Sequence, residues 1–270
     1  MEKIGKYPFM AEPFHCDFAG RLFMSHLGNH LINAADFHSN DRGFGMLYLN
    51  TIHKTWVLSR LAVELEEMPT AYTRFDVETW VESAMRFFTN RDFKISESTA
   101  PGSSQEGKVF GYGRSVWAMI DTETRQPADL FAVNDGRLME YVEKEKECPI
   151  AKVSRVKMKD DAPLMRVVPT AYSDIDMNGH VNSVKYIEHA LDLWDTEFYK
   201  HHWLHRFEIA YVAEAHLGDD LLLYMDEAEK QAGEEEQDEF FVRIAKRAAG
   251  DDAEPVEVCR CRMVFRDVRQ

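Results

Sequence analysis

The chain has 270 residues, 45% of them apolar and 12% aromatic, which supplies a sizeable core for one large domain or two small ones. Its net charge of −15 argues against broad nucleic-acid binding, which needs a basic footprint. Four cysteines in no framework or ligand spacing suggest neither a disulfide scaffold nor a zinc site. No apolar run approaches a membrane span, and the N-terminal stretch MEKIGKYPFMAEPFHCDFAG has the marks of neither a signal peptide nor a transit peptide, so a cytoplasmic protein is expected.

In chain order, Phe23, Leu27, Leu31, Ala34 and Phe37 predict a helix ending near Gly43-Phe44-Gly45. Strand-like runs follow at 55–63, 75–81, 86–95 and 111–121. Residues 134–163 are rich in charge, poor in apolar periodicity, and read as a linker. Beyond them, Val181, Val184, Ile187, Leu191, Trp194 and Phe198 recur at steps of three and four and predict one long helix with a buried side. Further runs follow at 207–214, 221–225, 240–244 and 256–264. Helix then antiparallel strands occurs twice, which predicts an α+β chain of two units, each a curled sheet wrapped on one central helix. The expected division is 1–133, a linker at 134–163, and 164–270.

The segment DIDMNGHVNSVKYIEHALDLW carries the strongest chemical signal. Asp176, Asn178 and His180 stand at alternate positions just before the second helical pattern and share one face if the segment is extended. They offer a carboxylate, an amide and an imidazole that titrates near neutral pH. On the residues alone a second reading stands beside this one: Asn178-Gly179 is a turn dipeptide, and Asp and Asn cap helices without doing chemistry.

Other groupings are weaker. His201, His202 and His205 would put two imidazoles on one helical face, but no HExxH glutamate or second ligand cluster accompanies them, so no metal site is assigned. His38, Asn40 and Asp41 look like a degenerate echo of the later triplet, or cap the first helix, or border an apolar channel. Lys152, Arg155, Lys157 and Lys159 form the densest basic stretch and a candidate docking patch for an acidic partner, while Glu234, Glu235, Glu236, Asp238 and Glu239 gather the opposite charge; a solvated linker explains the first group just as well, and a hairpin tip the second.

The motif Asp176, Asn178, His180, Val181, Asn182, Lys185 and Tyr186 resembles that of the acyl-ACP thioesterases, with D-x-N-x-H-V-N-x-x-K-Y at the central helix of a second hotdog domain. The upstream runs Trp56-Val57-Leu58-Ser59-Arg60, Val77-Glu78-Thr79-Trp80-Val81, Arg91-Asp92-Phe93 and Arg114-Ser115-Val116-Trp117 resemble that family's first hotdog domain in the same order. The resemblance implies a tandem double hotdog that hydrolyses fatty acyl-ACP, with acyl carrier protein as partner and no cofactor.

It further implies a catalytic glutamate in a Y-x-x-E pattern, matched by Tyr211-Val212-Ala213-Glu214. Plant relatives often carry a cysteine at the next position, which here is Ala215, so an activated water is expected as the nucleophile. Glu214 and His180 would activate it, Asn178 would position the water or the carbonyl, and Asp176 would orient a neighbour. Backbone N–H groups at the helix start are the expected oxyanion donors. Phe23, Met24, Met46, Trp56, Met85 and Phe87 are candidate walls of an acyl tunnel in the first domain, or plain core. A coenzyme A thioesterase, a dehydratase and a non-catalytic acyl-binding module are the alternatives, and a homodimer is expected.

Overall fold

A computed structural model of the chain describes residues 2–100, 102, 106–153, 156–228 and 237–268. Two compact units divide it, Met1–Val153 and Ser154–Gln270. The first contains β1 (Gly5–Met10), α1 (Met24–Asp41), the short α2 (Met46–Leu49), β2 (Lys54–Leu65), β3 (Arg74–Ala84), β4 (Phe88–Glu97) and β5 (Val109–Asp121). Its strands lie in the order β1-β3-β4-β5-β2, every neighbouring pair antiparallel. Both faces of this sheet are covered. Phe75, Val77 and Thr79 alternate along β3 and are fully buried, on a strand against which α1 packs. Trp80 points to the opposite face, where Cys148 and Ile150 bury it.

The α1 stripe differs from the expected one at both ends. Leu27, Leu31 and Ala34 are buried, but Phe23 and Phe37 are 47% and 45% exposed, and burial continues instead through Ala35, His38 and Ser39. Phe23 precedes the first helical residue, and at 3.6 residues per turn the line from Leu31 leads to Ala35 and His38 rather than to Phe37. Strand β1 was not expected: it is a six-residue edge strand interrupted by Pro8, tolerated at an edge because the missing N–H faces no partner. Residues 134–153, charged enough to read as a linker, lie in the first unit. Leu138 and Tyr141 pack with Phe44, Leu49 and Met119, so sparse apolar residues here do the work of a lid on a core.

The second unit contains β6 (Leu164–Pro169), α3 (Ser183–Leu191), α4 (Thr196–His201), β7 (His202–Tyr211), β8 (Asp219–Glu227), β9 (Gln237–Ala248) and β10 (Val256–Asp267). Its order is β7-β10-β9-β8-β6, again antiparallel throughout, and α3 packs against β9. The single long helix expected over 181–198 is two helices. Asp195 ends the continuity: its Oδ1 accepts the Phe198 N–H at 2.9 Å and starts α4 afresh, the competition that places Asp at caps rather than in helix interiors. Trp194 and Phe198 still serve as core, stacked on each other at 5.6 Å and meeting Phe265. The break also dissolves the histidine cluster. His201 ends α4 whereas His202 and His205 lie on β7, and His202 Nε2 stands 3.2 Å from Asp238 Oδ2. Among the described residues no group of three His, Cys, Asp or Glu side chains is placed to hold a metal. None of the described helices is long and apolar enough to cross a membrane. Arg155 and Glu234, Glu235 and Glu236 lie outside the described residues.

Candidate active site

The stretch around Asp176 is a closed turn rather than an extended strand. Asp176 N–H donates to the His180 carbonyl at 2.8 Å, and Gly179 N–H donates back to the Asp176 carbonyl at 3.0 Å. Gly179 takes φ +82°, a value that L side chains rarely adopt, which is why glycine stands there. The Asp176 carboxylate faces into this turn: its Oδ1 accepts N–H from Asn178 at 2.8 Å and from His180 at 3.3 Å. It therefore organises backbone, while the side chains of Asn178 and His180 are left outside the ring of bonds.

Several N–H groups at the helix entrance are already paired. Val181 N–H donates to the Ala215 carbonyl at 2.8 Å and Asn182 N–H to the Asp174 carbonyl at 2.8 Å. Asn182, not Asn178, is the N-cap of α3, its Oδ1 accepting from Val184 N–H at 3.2 Å. The N–H groups of Val181 and Asn182, expected as oxyanion donors, are thus consumed by the fold. Asn182→Ala is expected to lower stability by about 1 kcal/mol in a denaturant titration.

Glu214 lies three residues beyond the end of β7, not on the strand. Its position is set by Ala215, whose carbonyl holds Val181 and whose N–H donates to the Tyr186 hydroxyl at 3.2 Å. The Tyr211 hydroxyl in turn donates to the Ser183 carbonyl at 2.9 Å. Burial pushes both phenols up, so they remain protonated. The result is a contact of 3.4 Å between His180 Nε2 and Glu214 Oε2, with side chains 25% and 37% exposed: held in place, yet open to water. The His216 ring stands edge-on to His180 at 5.0 Å, a neighbour that no sequence motif marked.

The first unit repeats this loop bond for bond. Asp17 N–H donates to the Arg21 carbonyl, Gly20 N–H returns to the Asp17 carbonyl, and Asp17 Oδ1 accepts from Ala19 and Arg21 N–H at 2.8 and 2.9 Å. Gly20 has φ +75°, and Leu22 N–H donates to the Pro69 carbonyl as Val181 does to Ala215. The echo of the site is therefore Asp17 to Leu22, not His38, Asn40 and Asp41. Those three are structural: His38 Nε2 meets the Lys3 carbonyl at 2.9 Å, Asn40 donates to Asp36, and Asp41 accepts from the Tyr7 hydroxyl. In the repeat, Ala19 replaces Asn178, Arg21 replaces His180, and the buried Met68 replaces Glu214. Arg21 Nε turns back to Asp17 Oδ2 at 2.9 Å. One copy keeps the architecture and lacks the amide, the imidazole and the opposing carboxylate.

The first unit also holds a cavity of ≈ 70 Å³ lined by Ile32, Phe44, Met46, Trp56, Trp117 and Arg91, among others. Of the walls expected from sequence, Met46 and Trp56 line it, while Phe23, Met24, Met85 and Phe87 do not. Arg91 is buried, donating to Thr79 and Ser39 hydroxyls at 3.1 and 3.0 Å, and burial lowers its pKa to about 9.

Residues 6–133 match the family described as Acyl-ACP thioesterase N-terminal domain, and residues 157–258 match the Acyl-ACP thioesterase C-terminal domain. A crystal structure of an acyl-ACP thioesterase from Bacteroides thetaiotaomicron is 46% identical, covers 98% of each chain and has a TM-score of 0.84. A 12:0-ACP thioesterase from Umbellularia californica shares the fold, with a TM-score of 0.77 at 19% identity over 98% of this chain and 95% of that one. Oleoyl-acyl carrier protein thioesterase 2, chloroplastic, from Arabidopsis thaliana is 26% identical over 71% of this chain and 52% of its own length. The chain spans about half the length of the first such curated relatives. Fold and loop together define an α+β protein of tandem hotdog architecture. The chain belongs to the acyl-ACP thioesterase family.

Proposed function

We propose that this protein hydrolyses the thioester of a fatty acyl group on acyl carrier protein, releasing fatty acid and the carrier thiol. The observation that carries the reading is the 3.4 Å contact of His180 with Glu214 at a loop whose repeat in the same chain keeps the turn and has neither group. Glu214, aided by His180, takes a proton from a water as its oxygen attacks the acyl carbon, a form of assistance worth about 10²- to 10⁴-fold. The exposed Asn178 amide, its backbone fixed by Asp176, donates to the carbonyl oxygen as negative charge develops there. Collapse of the tetrahedral intermediate breaks the C–S bond, and the proton passes to the departing thiolate.

Cysteine chemistry is disfavoured by the thiols themselves. Cys148, Cys259 and Cys261 are buried, and burial pushes Cys148 up to about 11 and Cys259 well above the ordinary thiol value. The apolar cavity of the first unit is the proposed receptor for the acyl chain. Lys152 and Lys157 are exposed cations suited to an acidic carrier, which an enzyme of charge −15 must otherwise repel. The same reading makes the protein a cytoplasmic homodimer, with β6, an edge strand exposing Leu164, Met165 and Val167, as the surface for pairing.

The test is release of fatty acid and thiol from acyl-ACPs of increasing chain length, beside matching acyl-CoAs, by the wild-type protein and His180→Ala. Turnover of acyl-ACP that collapses in the variant is expected. Faster turnover of acyl-CoA would replace the carrier, and binding of acyl chains without hydrolysis would replace the enzyme with a binding module.

A further inference from the structure

Each central helix carries a histidine at the same spacing from the turn aspartate: His30 on α1 after Asp17, and His189 on α3 after Asp176. The Nε2 atoms of both are buried and make no hydrogen bond among the described residues. Both nevertheless face a carboxylate, His30 at 3.7 Å from Glu12 Oε2 and His189 at 3.6 Å from Asp174 Oδ1. A buried imidazole nitrogen without a hydrogen bond is costly, and its recurrence in two copies of one loop calls for a physical reason.

The two acids differ in what they hold. Asp174 is buried where the chain enters the loop that bears Asn178 and His180, and it ties the turn before that loop to the residue that follows it. Its Oδ2 accepts the Ala171 N–H at 2.7 Å, and its backbone carbonyl accepts the Asn182 N–H at 2.8 Å. In the first unit these duties are split: the His15 carbonyl takes the Phe23 N–H, while the acid belongs to Glu12, whose Oε2 is shared with His15 Nδ1 at 3.3 Å. In the second unit the histidine faces the carboxylate of the residue whose carbonyl closes the loop.

We propose that His189 is a positioning residue for the thioester site: its Nε2–H holds the Asp174 carboxylate, and Asp174 holds the loop that aims Asn178 and His180. This rests on the hydrolase reading above. A gap of 3.6 Å becomes a hydrogen bond with a shift of a few tenths of an ångström, and hydrogen bonds around a catalytic site commonly tighten when substrate binds. Burial keeps His189 below the ordinary imidazole value, Lys185 adding to the effect while Asp174, Asp192 and Glu188 oppose it; the ring is therefore a neutral donor at neutral pH.

The first unit supplies the control, because His30 is the matching histidine in a unit whose loop lacks the reacting groups. We would measure kcat, KM and Tm on the preferred acyl-ACP for wild type, His189→Phe, His189→Gln and His30→Phe. Loss of the donor in His189→Phe is expected to lower kcat about tenfold with KM within about twofold, the scale of losing a supporting hydrogen bond behind a reacting group. The amide of His189→Gln should restore most of kcat, and His30→Phe should lose comparable Tm while keeping kcat. Unchanged kcat in His189→Phe, or an equal loss in His30→Phe, overturns the proposal. Nitrogen-15 NMR of histidine-labelled wild type needs no variant: His189 should be the Nε2–H tautomer, and an Nδ1–H tautomer overturns the proposal whether or not any variant folds. Failure of the wild-type protein to turn over any acyl-ACP would instead remove the hydrolase reading, with the tautomer still deciding the Asp174 pairing.

Discussion

Glu214→Gln is expected to lower kcat on acyl-ACP by about 10²- to 10³-fold at neutral pH, with little change in KM or Tm. Glutamine is nearly isosteric and keeps an oxygen for His180, but its amide cannot take a proton from water. The backbone that sets the position is bound through Ala215 to Val181 and Tyr186, so the substitution leaves the geometry in place. If His180 and Glu214 act as a unit, the double variant His180→Ala with Glu214→Gln should be about as slow as the slower single variant rather than the product of both losses. Single-turnover hydrolysis of a pre-bound acyl-ACP is the cleanest readout. Full turnover by Glu214→Gln would remove the carboxylate from the chemistry and leave His180 alone with the water.

The second expectation comes from the repeat. Exchanging Asn178→Ala, His180→Arg and Glu214→Met together rewrites the second loop in the residues of the first. The chain already folds such a loop at Asp17 to Leu22, with the same four hydrogen bonds and a further one from the arginine to the turn aspartate. The triple variant should therefore fold with a stability change within about 1 kcal/mol, as expected for partly exposed positions outside a core, and its turnover should fall to background. A folded and active triple variant would place the chemistry elsewhere in the protein. A failure to fold, seen by thermal melting, would mean that the His180–Glu214 contact stabilises the second unit in a way that the first unit does not require.

What the sequence disclosed depended on whether a signal was local. Strands β2 to β5 and β8 to β10 were legible because alternating or continuous apolar runs lie within each of them. The edge strands β1 and β6 were not, since Pro8 breaks one pattern and exposure of Leu164 to Val167 removes the alternation that a half-buried strand needs. The break between α3 and α4 was hidden for the opposite reason. Trp194 and Phe198 keep helical spacing because both pack, half-buried, into one aromatic cluster, while the backbone leaves the helix from Asp192 to Asp195, whose side chain caps α4. At the site, residue identities were visible as a motif, but their geometry was not: alternation suggested a shared strand face, whereas a glycine at positive φ folds the stretch into a turn. Tyr186 stood in the motif, but its bond to the backbone beside Glu214 was not legible, and Asp174, His189 and His216 matched no pattern at all. The repeat itself was half seen. Helix and strands recur at a length that pattern reading detects, while Asp17 and Asp176 correspond through the bonds each makes within its own loop, a likeness that few shared neighbours reveal.

Two copies of one unit in a single chain also change what substitution can do. In an assembly of two identical short chains every replacement appears twice, so a group needed in one copy is carried by both and neither can specialise alone. Once the copies share a polypeptide, each position is inherited separately. Ala19, Arg21 and Met68 show that independence: the first copy has the bonds that shape the turn without the amide, imidazole and carboxylate of the second. Its loop is thus a natural inventory of which contacts this architecture demands when chemistry is no longer asked of it.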